Sequence, residues 1–234
     1  MPDAYRISVV VPTYNERENI EELVVRLSEA MHDAGYGDFE IVVVDDNSPD
    51  GTAEVVRDLS RKYPIKLIKR PGKLGLGSAI MEGIKTSGGE LIVIMDADLQ
   101  HPPEVIPTVI EKLKEGCDIV VASRYIAGGG IENWPLSRSI ISRGATLLAY
   151  MLLPPCRSVK DPLSGFFGFR RTIINGIGLN PKSFKVLLEI LCKAKWKNVC
   201  EVPYVFSARQ KGKSKLTLRE IVKYVKHLLE IRSY

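Results

Sequence analysis

Short apolar runs alternate with segments of helical spacing through the first half of the chain. The runs are rich in β-branched residues, and between them hydrophobic residues recur every three or four positions. The predicted strands are residues 7–12, 40–45, 65–68, 91–95 and 118–122, and the predicted helices are 16–34, 51–62, 76–86 and 103–115. Strands that are apolar on both faces and alternate with helices predict a parallel sheet with right-handed crossovers. The expected fold class is therefore α/β.

The pattern loosens after residue 124. Three consecutive glycines at 128–130 interrupt it, and the prolines at 154 and 155 end a helical segment. Helices are predicted at 136–153, 183–195 and 216–231, and strands at 164–170 and 200–206. No internal repeat or low-complexity segment separates the halves, so residues 1–234 are expected to form a single domain with two functional halves, 1–123 and 124–234.

Charge is distributed unevenly between these halves. The chain is 45% hydrophobic and 26% charged, with a formal net charge of +5. Residues 1–123 carry 13 basic and 22 acidic side chains, a net of −9, and residues 124–234 carry 20 and 6, a net of +14. This composition excludes a disordered chain. The basic half indicates an anionic partner, which on charge alone is nucleic acid, phosphate or a membrane surface.

The four cysteines form no C-x-x-C pair, and no histidine lies near them at zinc-finger spacing. We therefore expect free thiols in a reducing cytosol. No apolar leader opens the chain, and no run reaches the 18–20 apolar residues of a spanning helix. The chain as given is expected neither to carry a signal peptide nor to span a membrane.

A pair of carboxylates follows the fourth predicted strand, in the sequence DADLQ. Ligands of open parallel sheets bind beyond the carboxyl ends of the strands, where Asp96 and Asp98 fall. Two carboxylates two residues apart on an extended chain point the same way and can share one hard cation, with Gln100 as a neutral oxygen donor. This favours Mg²⁺ or Mn²⁺. A solvated acidic loop is the alternative.

Three further polar segments follow strands: PTYNE at 12–16, DDNSPDGT at 45–52 and SRY at 123–125. Each is also ordinary turn chemistry. If they converge, they form a nucleotide pocket in which Tyr14 stacks on a base while Glu16 and Asp46 accept hydrogen bonds. The LGLGSA segment at 74–79 follows the third strand and lacks the third glycine of a dinucleotide fingerprint, which argues against an NAD site.

Several of these segments resemble a known family. PTYNEREN at 12–19, VDDNSPDGT at 44–52, KLGLG at 73–77 and DADLQ at 96–100 are similar to the GT-A inverting glycosyltransferases of family 2. SRY at 123–125, ISRG at 141–144, DPLSGFF at 161–167 and GKSKL at 212–216 are similar to its polyprenyl-phosphate branch. The resemblance covers nearly the whole chain in consistent order. It implies a Rossmann-like GT-A sheet and transfer of mannose from GDP-mannose to dolichyl or another polyprenyl phosphate.

The resemblance also implies site residues. The nucleoside of GDP-mannose would contact Pro12, Tyr14, Glu16, Val44 and Asp46, with Ala97 beside the donor. Asp96, Asp98 and Gln100 would hold the metal. Arg124, Arg138, Arg209 and Lys215 would surround the donor diphosphate and the acceptor phosphate, and Asp98 and the three arginines form the expected catalytic set. Some relatives carry transmembrane helices after this region, so the chain is expected to be either a stand-alone catalytic subunit, which a membrane-anchoring subunit could accompany, or a form truncated before such helices.

The acceptor determines whether a base is needed. A phosphate monoester is mostly dianionic at pH 7 and already nucleophilic, so the expected mechanism has no general base. Glu189, on the helix predicted at 183–195, either contacts the sugar or is only a charge on one face of that helix.

The helices predicted at 136–153 and 216–231 are amphipathic, with cations beside their apolar faces. They are expected to lie in the lipid headgroup plane on the cytoplasmic face of a membrane, although either face could instead pack on the protein core. One alternative function is a UDP-glucose-dependent polyprenyl-phosphate glucosyltransferase. Another is a non-catalytic lipid- or nucleic-acid-binding module, which leaves the acidic strand ends unexplained and lacks a nucleic-acid motif.

Overall fold

The computed structural model describes residues 6–132, 136–179, 185–207 and 218–233. Their strands and helices are, in chain order, β1 (Ile7–Thr13), α1 (Arg17–Asp33), β2 (Phe39–Asp45), α2 (Thr52–Leu59), β3 (Ile65–Lys69), α3 (Leu76–Thr86), β4 (Leu91–Ile94), α4 (Ile106–Lys114), β5 (Ile119–Ser123), β6 (Gly130–Ile131), α5 (Leu136–Leu152), β7 (Phe167–Arg170), α6 (Val186–Lys193), β8 (Val199–Pro203), β9 (Val205–Phe206) and α7 (Leu218–Arg232). The predicted last strand divides into β8 and β9. The helix starts predicted at 183 and 216 lie outside the described residues.

Seven of the strands form one sheet in the order β3-β2-β1-β4-β7-β5-β8. Every neighbouring pair is parallel except the two pairs that β7 makes with β4 and β5. The prediction of a mostly parallel α/β sheet is confirmed. Because β7 is antiparallel, it starts where β4 ends, and Phe167 is paired with Ile94. The segment before β7 therefore lies at the carboxyl edge of the parallel strands.

The sheet is buried on both faces, which explains why its strands are apolar at successive positions. On one face Val9 and Val11 pack with Leu23 of α1, in a cluster that also includes residues of α2 and α4. On the other face Val10 packs in a second cluster with residues of α3 and α6. Helix α3 lies so close to β1 that a Cβ on Gly83 would be 2.3 Å from the Cγ1 atom of Val10.

Cys117 and Cys200, which are 83 positions apart in the sequence, form a disulfide with their Cα atoms 6.1 Å apart. The prediction of four free thiols is wrong for this pair, and it holds for Cys156 and Cys192. No local spacing signals the pair, because it forms only when β8, which carries Cys200, lies beside β5. The disulfide also weakens the argument for a reducing cytosol.

Helices α5 and α7 pack against each other, and the Tyr224 hydroxyl donates a hydrogen bond to the Ala145 carbonyl oxygen at 2.8 Å. Of the helices that the structure describes, none combines the length and the apolar character needed to cross a bilayer. Apolar side chains remain exposed on both helices.

Candidate active site

A cavity of about 440 Å³ opens at the carboxyl edge of β4 and β5. Acidic and basic side chains surround one part of it, and these are Asp96, Asp98, Arg124, Arg138 and Lys185. Apolar side chains from α3, α5, α6 and α7 form much of the remaining wall, including Ile80, Ile141, Leu148, Val186 and Val225. One cavity therefore combines charged groups suited to a cation and phosphates with a wall suited to an apolar chain.

The Asp96–Gln100 segment forms a bend, not the extended chain that the sequence suggested, because β4 already ends at Ile94. Leu99 has a φ of 59°, a left-handed conformation that is costly for a residue with a branched side chain. The Gln100 N–H donates to Asp98 Oδ1 at 3.2 Å across this bend. Asp96, Asp98 and Gln100 all line the cavity despite the different backbone.

The chemistry of these three side chains fits a hard divalent cation. Asp98 is buried, whereas the Asp96 side chain is 39% exposed and faces the cavity. The Gln100 amide nitrogen donates to the Ser207 carbonyl oxygen at 2.9 Å, so the amide oxygen is the atom suited to a cation. Two carboxylates and a neutral oxygen are the ligand types that Mg²⁺ and Mn²⁺ prefer.

The Arg124 guanidinium binds the Asp161 carboxylate at two points. Nε and Nη2 donate to its two oxygens at 2.7 and 2.8 Å, and the Arg124 backbone N–H donates at 3.1 Å. Asp161 is fully buried. Burial lowers the pKa of Arg124, but the hydrogen bonds and charge of Asp161 outweigh it and raise that pKa above its ordinary value. Arg124 is thus a permanent, fixed cation in the cavity wall.

Lys185 is a second cation in this wall, one that the sequence analysis did not propose. Its ammonium group donates to the Leu163 carbonyl oxygen at 2.5 Å. The pKa of Lys185 is lowered to about 8, chiefly by burial and also by the charge of Arg124, whereas Asp161 and Asp96 oppose the shift. The lysine is therefore mostly charged at pH 7, but it titrates close to that pH.

His101 also lines the cavity and was missed by the sequence analysis. Only 2% of the residue is exposed. Burial lowers the pKa of His101 to about 4, Arg124 and Lys185 act in the same direction, and Asp98 opposes them. The imidazole is neutral at pH 7.

The predicted nucleoside residues lie at or just after the ends of β1 and β2, and none of them is among the residues that line the cavity. Pro12 and Val44 are direct partners in the β1–β2 ladder. The Lys73 ammonium lies 3.7 Å from the centre of the Tyr14 ring. The Asn19 amide donates to Glu16 at 2.7 Å. The structure brings these residues to one edge of the sheet, and their contacts with a nucleoside remain a prediction.

Asp46, another predicted nucleoside residue, has intramolecular contacts at both carboxylate oxygens. One oxygen lies 2.6 Å from the Arg70 guanidinium, and the other accepts the Gly75 N–H at 2.9 Å. Arg70 also contacts Glu82 and Ser78, so a buried arginine joins the end of β2 to the start of α3. In the described structure Asp46 therefore anchors the loop before α3.

The remaining predicted residues have different environments. Ala97 is buried within the bend, and Arg138 lines the cavity. Arg209 and Lys215 lie outside the described residues, as does the GKSKL segment. Glu189 is 2% exposed and lies 2.6 Å from the Lys193 ammonium one turn along α6. This ion pair agrees with the prediction of a charge on a helix face, and Glu189 is not among the residues that line the cavity.

The residues that sequence reasoning missed carry weak local signals. His101 directly follows the DADLQ segment but is a lone histidine, and Lys185 is one cation in a basic half. Asp161 belongs to the DPLSG segment that supported the family resemblance, yet nothing in the sequence of that segment indicates that Asp161 binds Arg124.

This sheet, with carboxylates and cations at its carboxyl edge, agrees with the GT-A class that the sequence resembles. The sequence model for glycosyl transferase family 2 matches residues 8–178, so the chain belongs to that family. A dolichol-phosphate mannosyltransferase of Pyrococcus furiosus is 49% identical over 98% of the chain, which spans 64% of that relative's length. A protein of the same name from Saccharomyces cerevisiae is 37% identical, with 96% of the chain and 86% of the relative aligned.

Solved structures share the fold at lower identity. Glucosyl-3-phosphoglycerate synthase from Mycobacterium tuberculosis, with Mn²⁺, UDP-glucose and phosphoglyceric acid, gives a TM-score of 0.72 at 19% identity, with 98% of this chain and 80% of that one covered. The mannosyltransferase PcManGT from Pyrobaculum calidifontis, in complex with GDP-Man and Mn²⁺, gives a TM-score of 0.66 at 20% identity. The alignment covers 99% of this chain and 65% of that one. These similarities confirm the predicted GT-A fold.

Proposed function

We propose that this chain transfers mannose from GDP-mannose to dolichyl or another polyprenyl phosphate, with inversion and with the help of a divalent cation. The cavity carries this proposal, because it places two carboxylates and three cations next to an apolar wall. An acceptor with a phosphate head and a hydrocarbon tail matches both parts. The names of the relatives that are 37–49% identical to the chain support the same acceptor and sugar.

The reaction is a single displacement at the anomeric carbon. An acceptor phosphate oxygen forms a bond to C1 of the sugar as the bond from C1 to the donor diphosphate breaks on the opposite face. An α-linked donor then gives a β-linked lipid phosphate and a nucleoside diphosphate. Arg124, Arg138 and Lys185 would hold the two anions together, and the planar guanidinium groups suit phosphate oxygens.

No proton has to be removed from the acceptor, because a phosphate monoester is mostly dianionic at neutral pH. The buried position of Glu189 agrees with this, since its carboxylate faces Lys193. Asp96, Asp98 and Gln100 would hold Mg²⁺ or Mn²⁺. When bound, such a cation neutralises charge on the leaving diphosphate.

A transfer assay tests the proposal. Radiolabelled GDP-mannose, UDP-glucose and UDP-GlcNAc are each offered with a short polyprenyl phosphate, with Mn²⁺ or Mg²⁺ present or removed by EDTA. We expect mannose transfer to be fastest and to require the metal. Faster transfer from UDP-glucose would replace the mannose proposal with the glucosyltransferase alternative. Lipid or nucleic-acid binding without transfer from any donor would favour the non-catalytic module.

We also propose that α5 and α7 contact the membrane surface peripherally, on its cytoplasmic face. Large apolar side chains are exposed on both helices, with Ile140, Leu147 and Met151 on α5 and Val222 and Leu229 on α7. The apolar wall of the cavity comes partly from the same helices, so a lipid tail in the cavity would emerge near this surface.

Vesicle co-sedimentation at low salt tests the membrane contact. The double variant Leu147→Gln and Met151→Gln removes two exposed side chains, each 60% or more exposed, from α5. We expect it to bind anionic vesicles at least about tenfold more weakly than the wild type, because apolar burial contributes strongly to interfacial binding. Val205→Gln, at an exposed position on β9, is the matched control. Equal binding by all three proteins would refute the proposed contact.

A further inference from the structure

The His101 ring accepts a hydrogen bond from the turn that carries the two cavity carboxylates. The Asp96 backbone N–H donates to His101 Nδ1 at 3.0 Å. A nitrogen that accepts this bond carries no proton, so the ring proton of the neutral imidazole lies on Nε2. This hydrogen bond joins His101 to the backbone at the start of the turn, and Nδ1 also lies 3.8 Å from Asp96 Oδ2.

Aromatic rings from two other segments hold the imidazole in place. Phe166, just before β7, stacks on it with ring centres 5.2 Å apart. Tyr204, which lies between β8 and β9, and Phe206 of β9 contact the imidazole edge-on, with ring centres 5.7 and 5.9 Å from its own. The ring therefore has a fixed plane and a fixed direction for Nδ1.

Gly165 shows how closely the surrounding chain packs around the same contact. A Cβ at this position would lie 3.2 Å from His101 Cε1 and 3.3 Å from Asp96 Oδ2. Both separations are tighter than usual for a side-chain carbon, so a larger residue would displace the ring or the carboxylate. The absence of a side chain here lets the ring and the turn stay in contact.

We infer that His101 is a positioning residue for the metal-binding turn: its Nδ1 acceptor holds the Asp96 amide and thereby orients the Asp96 and Asp98 carboxylates. The turn needs such support, because Leu99 within it has a left-handed backbone conformation. The inference rests on the proposed function, in which these carboxylates bind a divalent cation. Supporting contacts of this kind typically change metal affinity by about 10- to 100-fold.

Two substitutions separate hydrogen bonding from ring packing. His101→Phe keeps an aromatic ring of similar size but removes the acceptor, whereas His101→Asn places an amide oxygen near the position of Nδ1. Binding of Mn²⁺ to the protein without substrates is measured from the electron paramagnetic resonance signal of free Mn²⁺. We expect His101→Phe to bind about 10- to 100-fold more weakly and His101→Asn to stay within about threefold of the wild type.

Mn²⁺ binding by His101→Phe at wild-type affinity, or an equal loss in both variants, would overturn the inference. If circular dichroism shows that His101→Phe does not fold, His101→Gln replaces it. The amide oxygen of glutamine would lie one bond further out, near the position of Nε2, and so would not accept the Asp96 N–H. Asp98→Asn distinguishes the two proposals. Unchanged Mn²⁺ affinity in Asp98→Asn refutes the metal site itself, whereas loss there and not in His101→Phe refutes only the positioning role.

Discussion

The Arg124 guanidinium and the Asp161 carboxylate form a two-point contact, with nitrogen–oxygen distances of 2.7 and 2.8 Å. Asp161 is fully buried, and the Arg124 side chain is 8% exposed. Taking both charges out of water is costly, so the pair adds little net stability by itself. Its contribution is to fix the direction of a cation that faces the cavity.

The first prediction concerns this pair. Asp161→Asn removes the negative charge opposite Arg124, so we expect the free energy of unfolding in urea to fall by about 3–5 kcal/mol. The KM for the acceptor phosphate should rise as well, because the guanidinium loses its orientation. Asp58→Asn is the control, since Asp58 pairs with Arg61 at a largely exposed site. Asp58→Asn should lower the free energy of unfolding by less than about 1 kcal/mol. Equal losses in the two variants would contradict this account.

The second prediction concerns pH. Because the pKa of Lys185 is lowered to about 8, the lysine loses its proton as the pH rises through that value. We expect kcat/KM for the acceptor phosphate to fall above pH about 8, because a positive charge is lost from the proposed phosphate site. Lys185→Arg keeps its charge throughout this range and should not show the decline. The same decline in both proteins would assign it to another group.

The same titration affects stability. The pKa of Lys185 is lower in the folded protein than the ordinary value of 10.5. Below pH about 8 the folded state therefore bears the full cost of a buried charge, and this cost is relieved as the pH rises from about 8 to 10.5. Relative to Lys185→Met, the wild type should gain stability over that interval in urea unfolding experiments.

The third prediction concerns the absence of a general base. Glu189→Gln should reduce kcat by less than about tenfold, because the carboxylate faces Lys193 inside the protein. A reduction of about 10²–10⁴-fold, as is typical when a general base is removed, would overturn the base-free mechanism. The same change should lower the free energy of unfolding by about 1–3 kcal/mol, because Lys193 loses its charged partner. Adding Lys193→Met should restore part of it by removing the second charge.

The fourth prediction concerns the disulfide. Under denaturing conditions without reductant, a thiol reagent should detect two cysteines, Cys156 and Cys192, and four after reduction. The bridge joins cysteines 83 positions apart in the sequence, so Cys117→Ser should lower the free energy of unfolding by up to about 4 kcal/mol. Cys192→Ser, which leaves the bridge intact, is the control. Four reactive thiols before reduction would show that the bridge does not form.

Much of the fold follows from local patterns. Apolar runs with β-branched residues predict the strands, and the spacing between them predicts the crossover helices, because each pattern reflects burial of one short segment. The same reasoning finds the residues at the strand ends. Asp96, Asp98 and Gln100 line the cavity as expected, together with Arg124 and Arg138.

The sequence alone therefore specifies the α/β class, the order of its elements and the segments that supply the acidic and basic side chains of the cavity. Tertiary structure decides which distant residues meet. The antiparallel entry of β7 brings Asp161 to Arg124 across 37 positions, and the β5–β8 contact joins Cys117 to Cys200 across 83. Tertiary structure also buries the Lys185 and His101 side chains, and this burial lowers their pKa values. No local pattern encodes these effects, because they depend on desolvation and on contacts between strands that are remote in the sequence.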